Sequence, residues 1–293
     1  MNYQDLIKEK KWSNHPVGLS GCRTTNSFFD SCDYDITVFD DKSHEDEIIQ
    51  FHNSFLKIHH GSLSETQSKK LIQYDNMEII HDESWDLRMF LAKIKEKRLN
   101  LYKDHAKNAL IESLFCCEKT KSGIKESSVF AACWQKCASF FLAEGILAAN
   151  NGKPSPTHML NVLRNFEKNP INEKISTVNE TVGIERSTPS LLERMLKSTI
   201  GFSDLIENNG NSILIQQKHD YFVKNSMLSD CYFYLGYVNK ENFTKIKDSI
   251  EKQPDLIHIL KVAFDLEADA NLVEQQAKNI QKSAQVVLDL ISR

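Results

Sequence analysis

Two aspartates separated by one residue, Asp33 and Asp35, lie in a segment with the composition of a β-strand. Residues i and i+2 of a strand point to the same face about 7 Å apart, so the two carboxylates would lie side by side. Carboxylate oxygens are the ligands that Mg²⁺ prefers. Two Mg²⁺ ions about 4 Å apart activate an attacking hydroxyl and neutralise the charge of a departing pyrophosphate. The pair therefore predicts the metal ligands of a site for phosphate chemistry.

A third carboxylate on a neighbouring strand would complete a cage for the two metal ions. Glu78, between Met77 and Ile79 in a second strand-like segment, is our first choice for this ligand. Asp75 and Asp82 flank the same segment and are the alternatives.

The residues upstream of the aspartate pair have the composition of a phosphate-binding turn. Gly21 allows the chain to turn tightly, and the segment after it can open a helix whose free N–H groups point at phosphate oxygens. Arg23 adds a positive charge, and Ser20 and Thr24 place hydroxyl groups beside the turn. Together with Cys22 in the turn itself, these residues predict a cradle for the triphosphate of a nucleotide.

This arrangement resembles the nucleotidyltransferases of the DNA polymerase β superfamily, in particular the small members related to kanamycin nucleotidyltransferase. The family signature is a Gly-Ser turn, a short gap, Asp-hydrophobic-Asp on a strand and a third acid on a later strand. Gly21 stands at the family glycine, Asp33-Tyr34-Asp35 begins twelve positions later, and the resemblance covers roughly residues 15–82. The family serine is replaced by Cys22, which keeps the backbone N–H but exchanges a hydroxyl for a weak thiol donor.

The resemblance implies a reaction. Asp33, Asp35 and Glu78 would bind two Mg²⁺ ions, and the turn at Gly21 and Cys22 would hold a nucleoside triphosphate, with ATP as the expected donor. A small-molecule or protein acceptor would take the AMP group as pyrophosphate leaves. A glutamate of the helical domain is the general base in kanamycin-type members, and Glu144 would be its loosest counterpart here.

Two alternatives to this reaction remain open. The first is a nucleotidyltransferase-fold protein that binds nucleotide or a partner with little or no turnover, because Cys22 departs from the family signature. The second is addition of nucleotides to nucleic-acid 3′ ends, which the net charge of −4 disfavours since the phosphate backbone attracts basic proteins. The sequence also leaves open a homodimer.

The elements that position these residues give an α+β protein, with a small mixed sheet and flanking helices over 1–86 and a mainly helical, bundle-like domain over 87–293. Within the first domain we expect a strand over 33–40, a helix over 44–61 that ends at Gly61, and a strand over 70–82. Within the second we expect a helix from Trp85 onward, a loop over 171–189 and one long amphipathic helix over 255–291.

The composition indicates a globular protein of the cytoplasm, since the N-terminal residues lack the apolar core of a signal peptide and no apolar stretch is long enough to cross a bilayer. Seven cysteines form no CxxC pair and are odd in number, which favours neither a zinc ribbon nor a disulfide framework. Of these, Cys133 and Cys137 are expected on a buried helix face. His59 and His60 are expected at the exposed end of the 44–61 helix.

Overall fold

The computed structural model describes residues 2–25, 28–42, 46–52, 54–207 and 209–292. The protein is α+β, with a five-stranded mixed sheet near the N-terminus followed by a mostly helical region, as the sequence predicts. The chain divides into two compact units, Met1–Tyr102 and Lys103–Arg293. The units divide after Tyr102, within the long helix Asp86–Lys125, whereas the boundary expected from the sequence, after residue 86, lies at the start of that helix.

The first unit is built on a sheet with the strand order β3-β4-β2-β1-β5. Strands β2 and β4 are parallel, and the other neighbouring pairs are antiparallel. The elements in chain order are α1 (Tyr3–Lys10), β1 (Val17–Ser20), β2 (Tyr34–Phe39), β3 (Glu47–Phe51), β4 (Ser54–Gly61), α2 (Ser68–Leu71) and β5 (Glu78–His81). The strand predicted over 33–40 is therefore present as β2, whereas the segment 70–82 is a strand only in its second half.

The prediction of a helix over 44–61 is wrong, because this segment contains the antiparallel strands β3 and β4. The apolar residues that match a helical period, such as Ile48 and Phe55, are β-branched or aromatic and equally suit strands. Leu56 and Ile58 point to one face of the sheet and are buried against it. Pairing of β4 with β2 along six residues overrides the helical period. Gly61 is accordingly the last residue of β4 and not a helix cap.

Each face of the sheet has its own apolar core. One core contains Leu6 of α1 together with Leu19, Ile36 and Ile58 of the strands. The core on the opposite face contains Phe39 of β2. It also contains aliphatic and aromatic residues from the segment that runs from α2 into the long helix, namely Leu71, Tyr74, Met77, Leu87, Phe90 and Ile94. The alternation of side chains along β2 thus separates Ile36 from Asp35 and Thr37.

The long helix α3 spans Asp86–Lys125. Its start is fixed by Asp82, whose carboxylate accepts hydrogen bonds from the backbone N–H groups of Leu87 and Arg88. The remaining helices are α4 (Ala131–Ala149), α5 (Met159–Arg164), α6 (Ile175–Val182), α7 (Pro189–Ile206), α8 (Asn211–Lys224), α9 (Leu228–Lys245), α10 (Ile257–Ala263) and α11 (Ala270–Ser292). Cys133 and Cys137 are buried on α4, as expected.

Two predictions for the helical region are wrong. The segment 171–189 is not a loop, because α6 forms within it, buries Val178 and Val182, and ends at Gly183 with φ 82°. The helix predicted over 255–291 is broken between α10 and α11, where Asp265 adopts φ 50°. Arg186 and Tyr232 donate hydrogen bonds of 2.9 Å to the Asp265 carboxylate and hold this break in place. Among the described residues, none of the helices combines the length and apolar character needed to cross a membrane.

Candidate functional site

Gly21 forms a turn directly after β1 and lies against Asp35. Its backbone angles of φ 79° and ψ −161° belong to a region that is essentially restricted to glycine. A Cβ atom at this position would lie 1.9 Å from the Asp35 Oδ2 atom. The turn and the acidic strand are therefore packed together so closely that only glycine fits between them.

Asp33 and Asp35 lie beside this turn. Asp33 is buried immediately before β2, and Asp35 is partly exposed within it. A hydrogen bond with the Cys32 thiol, burial and the negative charges of Cys32, Asp35 and Asp33 all raise the pKa of Cys22. The structure thus brings together the turn and both aspartates that the sequence selects.

Strand β4 places two basic side chains on the same face as Asp35. Lys57 is the register partner of Asp35, and His59 follows it by two positions. The His59 ring lies between two carboxylates, with Nδ1 2.7 Å from Asp46 Oδ1 and Nε2 3.4 Å from Asp35 Oδ1. Lys57 Nζ lies 3.0 Å from Asp46 Oδ2. These five charged groups, Asp33, Asp35, Asp46, Lys57 and His59, are called the charge cluster below.

The pKa values in the charge cluster reflect mutual stabilisation of opposite charges. Burial alone would lower the pKa of His59, but its hydrogen bonds to Asp35 and Asp46 outweigh burial and raise it. Burial likewise opposes the charge of Lys57, and the carboxylates of Asp46, Asp35 and Asp33 raise its pKa. For Asp46, burial would raise the pKa, whereas His59 and Lys57 hold it well below its usual range. These pKa shifts therefore favour an ionised Asp46 together with protonated His59 and Lys57.

Glu78 does not complete a carboxylate cage with Asp35. It pairs with Leu19 of β1, which in turn pairs with Ile36 of β2, so Glu78 points to the face opposite Asp35. Strand β5 is also separated from β2 by β1, a spacing of about 10 Å. Glu78 is therefore not the third ligand that the sequence predicts. The strand order and register that decide this are not encoded in any local sequence pattern.

The two alternative acids have structural partners instead. Asp75 accepts hydrogen bonds from Arg98 Nε at 2.8 Å and from the Tyr102 hydroxyl at 2.9 Å. Asp82 caps the N-terminus of α3. Neither lies on β4 or β1, the strands that flank β2.

The donors expected to bind phosphate are used within the turn. Arg23 Nε and Nη2 donate to the Cys32 carbonyl at 2.9 and 2.6 Å, and Nη2 also donates to the Asp30 carbonyl at 3.1 Å. The Thr24 hydroxyl donates to the Gly21 carbonyl at 3.0 Å. Ser20, the last residue of β1, is buried. The side chains of Arg23 and Thr24, which the sequence predicts to bind phosphate, thus stabilise the turn itself.

The described residues do not fit a cage of three carboxylates around two Mg²⁺ ions. Asp33 and Asp35 supply oxygen ligands, but the strand next to Asp35 supplies the amine of Lys57 and the imidazole of His59. Mg²⁺ requires oxygen ligands in a near-octahedral arrangement, and the ammonium of Lys57 competes for the same carboxylates. Asp46 is on the same face, but its two oxygens already bind Lys57 and His59.

Asp46, Lys57 and His59 were missed from sequence because they belong to the segment predicted as a helix. The prediction that His59 and His60 lie at the exposed end of a helix is wrong, because both residues belong to β4. His60 lies on the other face of β4, where Nδ1 is 3.0 Å from Asp40 Oδ1. The signal that could have found the cluster is the spacing of Lys57 and His59, which shows the same i,i+2 pattern as Asp33 and Asp35.

Glu144 lies in the second unit on α4 and is buried. Its Oε2 atom is 2.6 Å from Lys240 Nζ, and its Oε1 atom is 3.5 Å from His105 Nε2. The Lys240 ammonium also lies 4.0 Å from the Phe141 ring centroid. This carboxylate is neutralised by a buried lysine, which makes it a poor general base.

Comparison with known proteins adds no relative, because neither the protein-family models nor the curated proteins include a match to this chain.

Proposed function

We propose that this chain is a binding protein with a nucleotidyltransferase-like first unit that does not transfer nucleotides. The observation that carries the proposal is the position of Lys57 and His59 on β4, facing Asp35 where a metal cage would need a third carboxylate. A lysine ammonium and a histidine whose pKa is raised neutralise the acids internally, where the transferases use Mg²⁺. The same surface can still present charge and shape to a nucleotide or to a protein partner.

The turn supports the same conclusion. Arg23 and Thr24 satisfy backbone carbonyls, and the Cys22 thiol replaces the serine hydroxyl of the family signature. A donor that already has a partner gives up that hydrogen bond when it binds a ligand, so its net contribution to affinity is small.

A second candidate is the transfer of AMP from ATP to a small-molecule or protein acceptor with Mg²⁺. Its support is the contact between the Gly21 turn and Asp35, together with the nearby carboxylate of Asp33. Transfer to nucleic-acid 3′ ends has weaker support, since the net charge is −4.

One experiment separates the two candidates. The full chain is incubated with Mg²⁺, each α-labelled nucleoside triphosphate and mixtures of acceptors, and both pyrophosphate release and label transfer are measured. We expect no turnover above that of Asp35→Asn. Asp41→Asn, an exposed acid outside the charge cluster, is the matched control. Turnover that both Asp33→Asn and Asp35→Asn abolish, and Asp41→Asn leaves unchanged, would establish the transferase instead.

The cytoplasm is the compartment that we propose for this protein. None of the seven cysteines, all of which lie among the described residues, forms a disulfide, and thiols in this number persist in a reducing compartment.

A further inference from the structure

Two cysteine side chains meet at the Gly21 turn. Cys22 is the first residue after Gly21, and Cys32 precedes Asp33 on the segment that leads into β2. Their sulfur atoms lie within 4.8 Å of each other, and the two thiols are hydrogen-bonded. Two thiolates on one tetrahedral Zn²⁺ ion, each at about 2.3 Å, lie about 3.8 Å apart. The upper limit of 4.8 Å on the sulfur separation is therefore compatible with a shared Zn²⁺ ion.

Arg23 holds this pair in place. Its guanidinium donates three hydrogen bonds, of 2.6 to 3.1 Å, to the carbonyls of Cys32 and Asp30. It also lies 4.8 Å from the Phe28 ring centroid and 4.7 Å from that of Tyr34. Because Arg23 is the residue next to Cys22, these contacts fasten the Cys32 segment to the turn. The sulfur positions are thus fixed by the surrounding structure before any ligand arrives, which lowers the ordering cost of binding.

The surroundings favour a cation at the thiol pair. Asp33 and Asp35 are near enough for their negative charges to act on Cys22. Zn²⁺ accepts sulfur and carboxylate ligands together, whereas Mg²⁺ binds oxygen and leaves thiolates to softer ions. The two thiols at this turn therefore suit Zn²⁺ better than Mg²⁺.

We propose that Cys22 and Cys32 bind one Zn²⁺ ion at the turn between β1 and β2. Each thiol releases its proton to solvent when its sulfur coordinates the metal. The nearby negative charges of Asp33 and Asp35 help to balance the charge of the ion. The proposal does not depend on whether the chain transfers nucleotides, because its readouts are metal content and sulfur coordination.

The test uses the full chain, reduced and freed of metal with a chelator. Zn²⁺ is titrated in competition with a chromophoric chelator. We expect one tight equivalent, with the affinity lowered more than about 100-fold in Cys22→Ala and in Cys32→Ala, beyond the loss that follows removal of an outer-shell partner. The double variant Cys133→Ala/Cys137→Ala removes a pair of neighbouring, buried cysteines on α4 and is the matched control. Far-UV circular dichroism verifies that each variant is folded.

Co²⁺ provides a second readout in the unmodified protein. A Co²⁺ ion held by thiolates shows a sulfur-to-metal charge-transfer band, which we expect in the wild type and not in Cys22→Ala. The proposal is overturned if Zn²⁺ affinity is unchanged in both single variants or if the Co²⁺ complex lacks the band.

Discussion

Gly21 is the residue on which the geometry of the site depends most. Its left-handed φ places the turn against Asp35, and the space beside its Cα is already filled by a carboxylate oxygen. The Arg23 hydrogen bonds limit how far the turn can move away. Substitution here therefore combines backbone strain with a steric clash, and the turn has little freedom to relieve either.

Gly21→Ala is expected to lower the free energy of unfolding by about 2 kcal/mol, the cost of a non-glycine residue in this backbone region. Gly201→Ala on α7 is the control, because nothing lies within 4 Å of the added Cβ. Alanine in a helix interior should raise the free energy of unfolding by up to about 1 kcal/mol. Urea denaturation measures the free energy of unfolding of both variants. Equal stability of Gly21→Ala and wild type would contradict the prediction that the backbone at Gly21 is strained for any other residue.

His59 gives the charge cluster a pH dependence with a definite sign. Because its pKa is raised in the folded protein, its contribution to stability is complete below about 6.5, the unfolded value, and is lost as the pH rises through the folded value. Asp46 has a lowered pKa, so its contribution is present above about 3.9 and is lost as the pH falls toward its folded value. The cluster should therefore stabilise the fold most at about pH 4 to 6.5.

The measurement is the free energy of unfolding of wild type and His59→Gln between pH 5 and pH 9. The difference should shrink by roughly 1 kcal/mol or less as the pH rises, since these side chains are partly exposed and screened by water. His15→Gln is a control outside the cluster. A difference that grows with pH would reverse the proposed charge state of His59.

At the scale of elements, the pair β3 and β4 decides what the acidic strand can bind. It joins the sheet through the parallel pairing of β4 with β2, and this pairing sets Lys57 opposite Asp35. A helix at the same place would have left the aspartates without a basic neighbour on that edge. The difference between a metal cage and an internally neutralised cluster is thus a matter of strand register.

Lys57→Glu tests whether the basic residue opposite Asp35 is what prevents metal binding, because it puts a third carboxylate opposite Asp35 on the same face. We expect the affinity for Mn²⁺, used as a spectroscopic substitute for Mg²⁺, to rise by on the order of tenfold, as ligand charge count tunes such sites. Lys8→Glu on the exposed side of α1 makes the same charge change away from the cluster. Electron paramagnetic resonance of free Mn²⁺ measures both, and an equal gain in the two variants would indicate only a change in net charge.

Across the whole molecule, sequence reasoning succeeds where the signal is local and fails where it is long-range. Strand β2, the start of α3 and the approach of Gly21 to Asp35 follow from short patterns and a turn. The strand register places Glu78 on the face of the sheet opposite Asp35. The break at Asp265 depends on hydrogen bonds from Arg186 and Tyr232, which lie in distant segments of the chain. Such contacts are properties of the folded chain and leave no periodic trace in the sequence.

The second unit contains a buried ion pair, an interaction of a different kind from the partly exposed charge cluster of the first unit. Glu144 and Lys240 form an ion pair from which water is excluded, with the side chains 2% and 0% exposed. Removing one partner of such a pair leaves a buried charge with too little compensation, whereas replacing both with apolar residues removes the desolvation cost as well. The two single changes and the double change should therefore be far from additive.

Glu144→Met and Lys240→Met are each expected to lower the free energy of unfolding by about 3 kcal/mol, and the double variant to recover most of that loss. Glu241 also contacts Lys240 Nζ, at 2.6 Å, so Glu144→Met should be the milder single change. The exposed pair Glu193 and Lys197 on α7, treated in the same way, should show a coupling of at most about 0.5 kcal/mol. Urea denaturation at pH 7 supplies the four free energies of each cycle. Additive losses at Glu144 and Lys240 would mean that water reaches the pair and that burial does not set its energy.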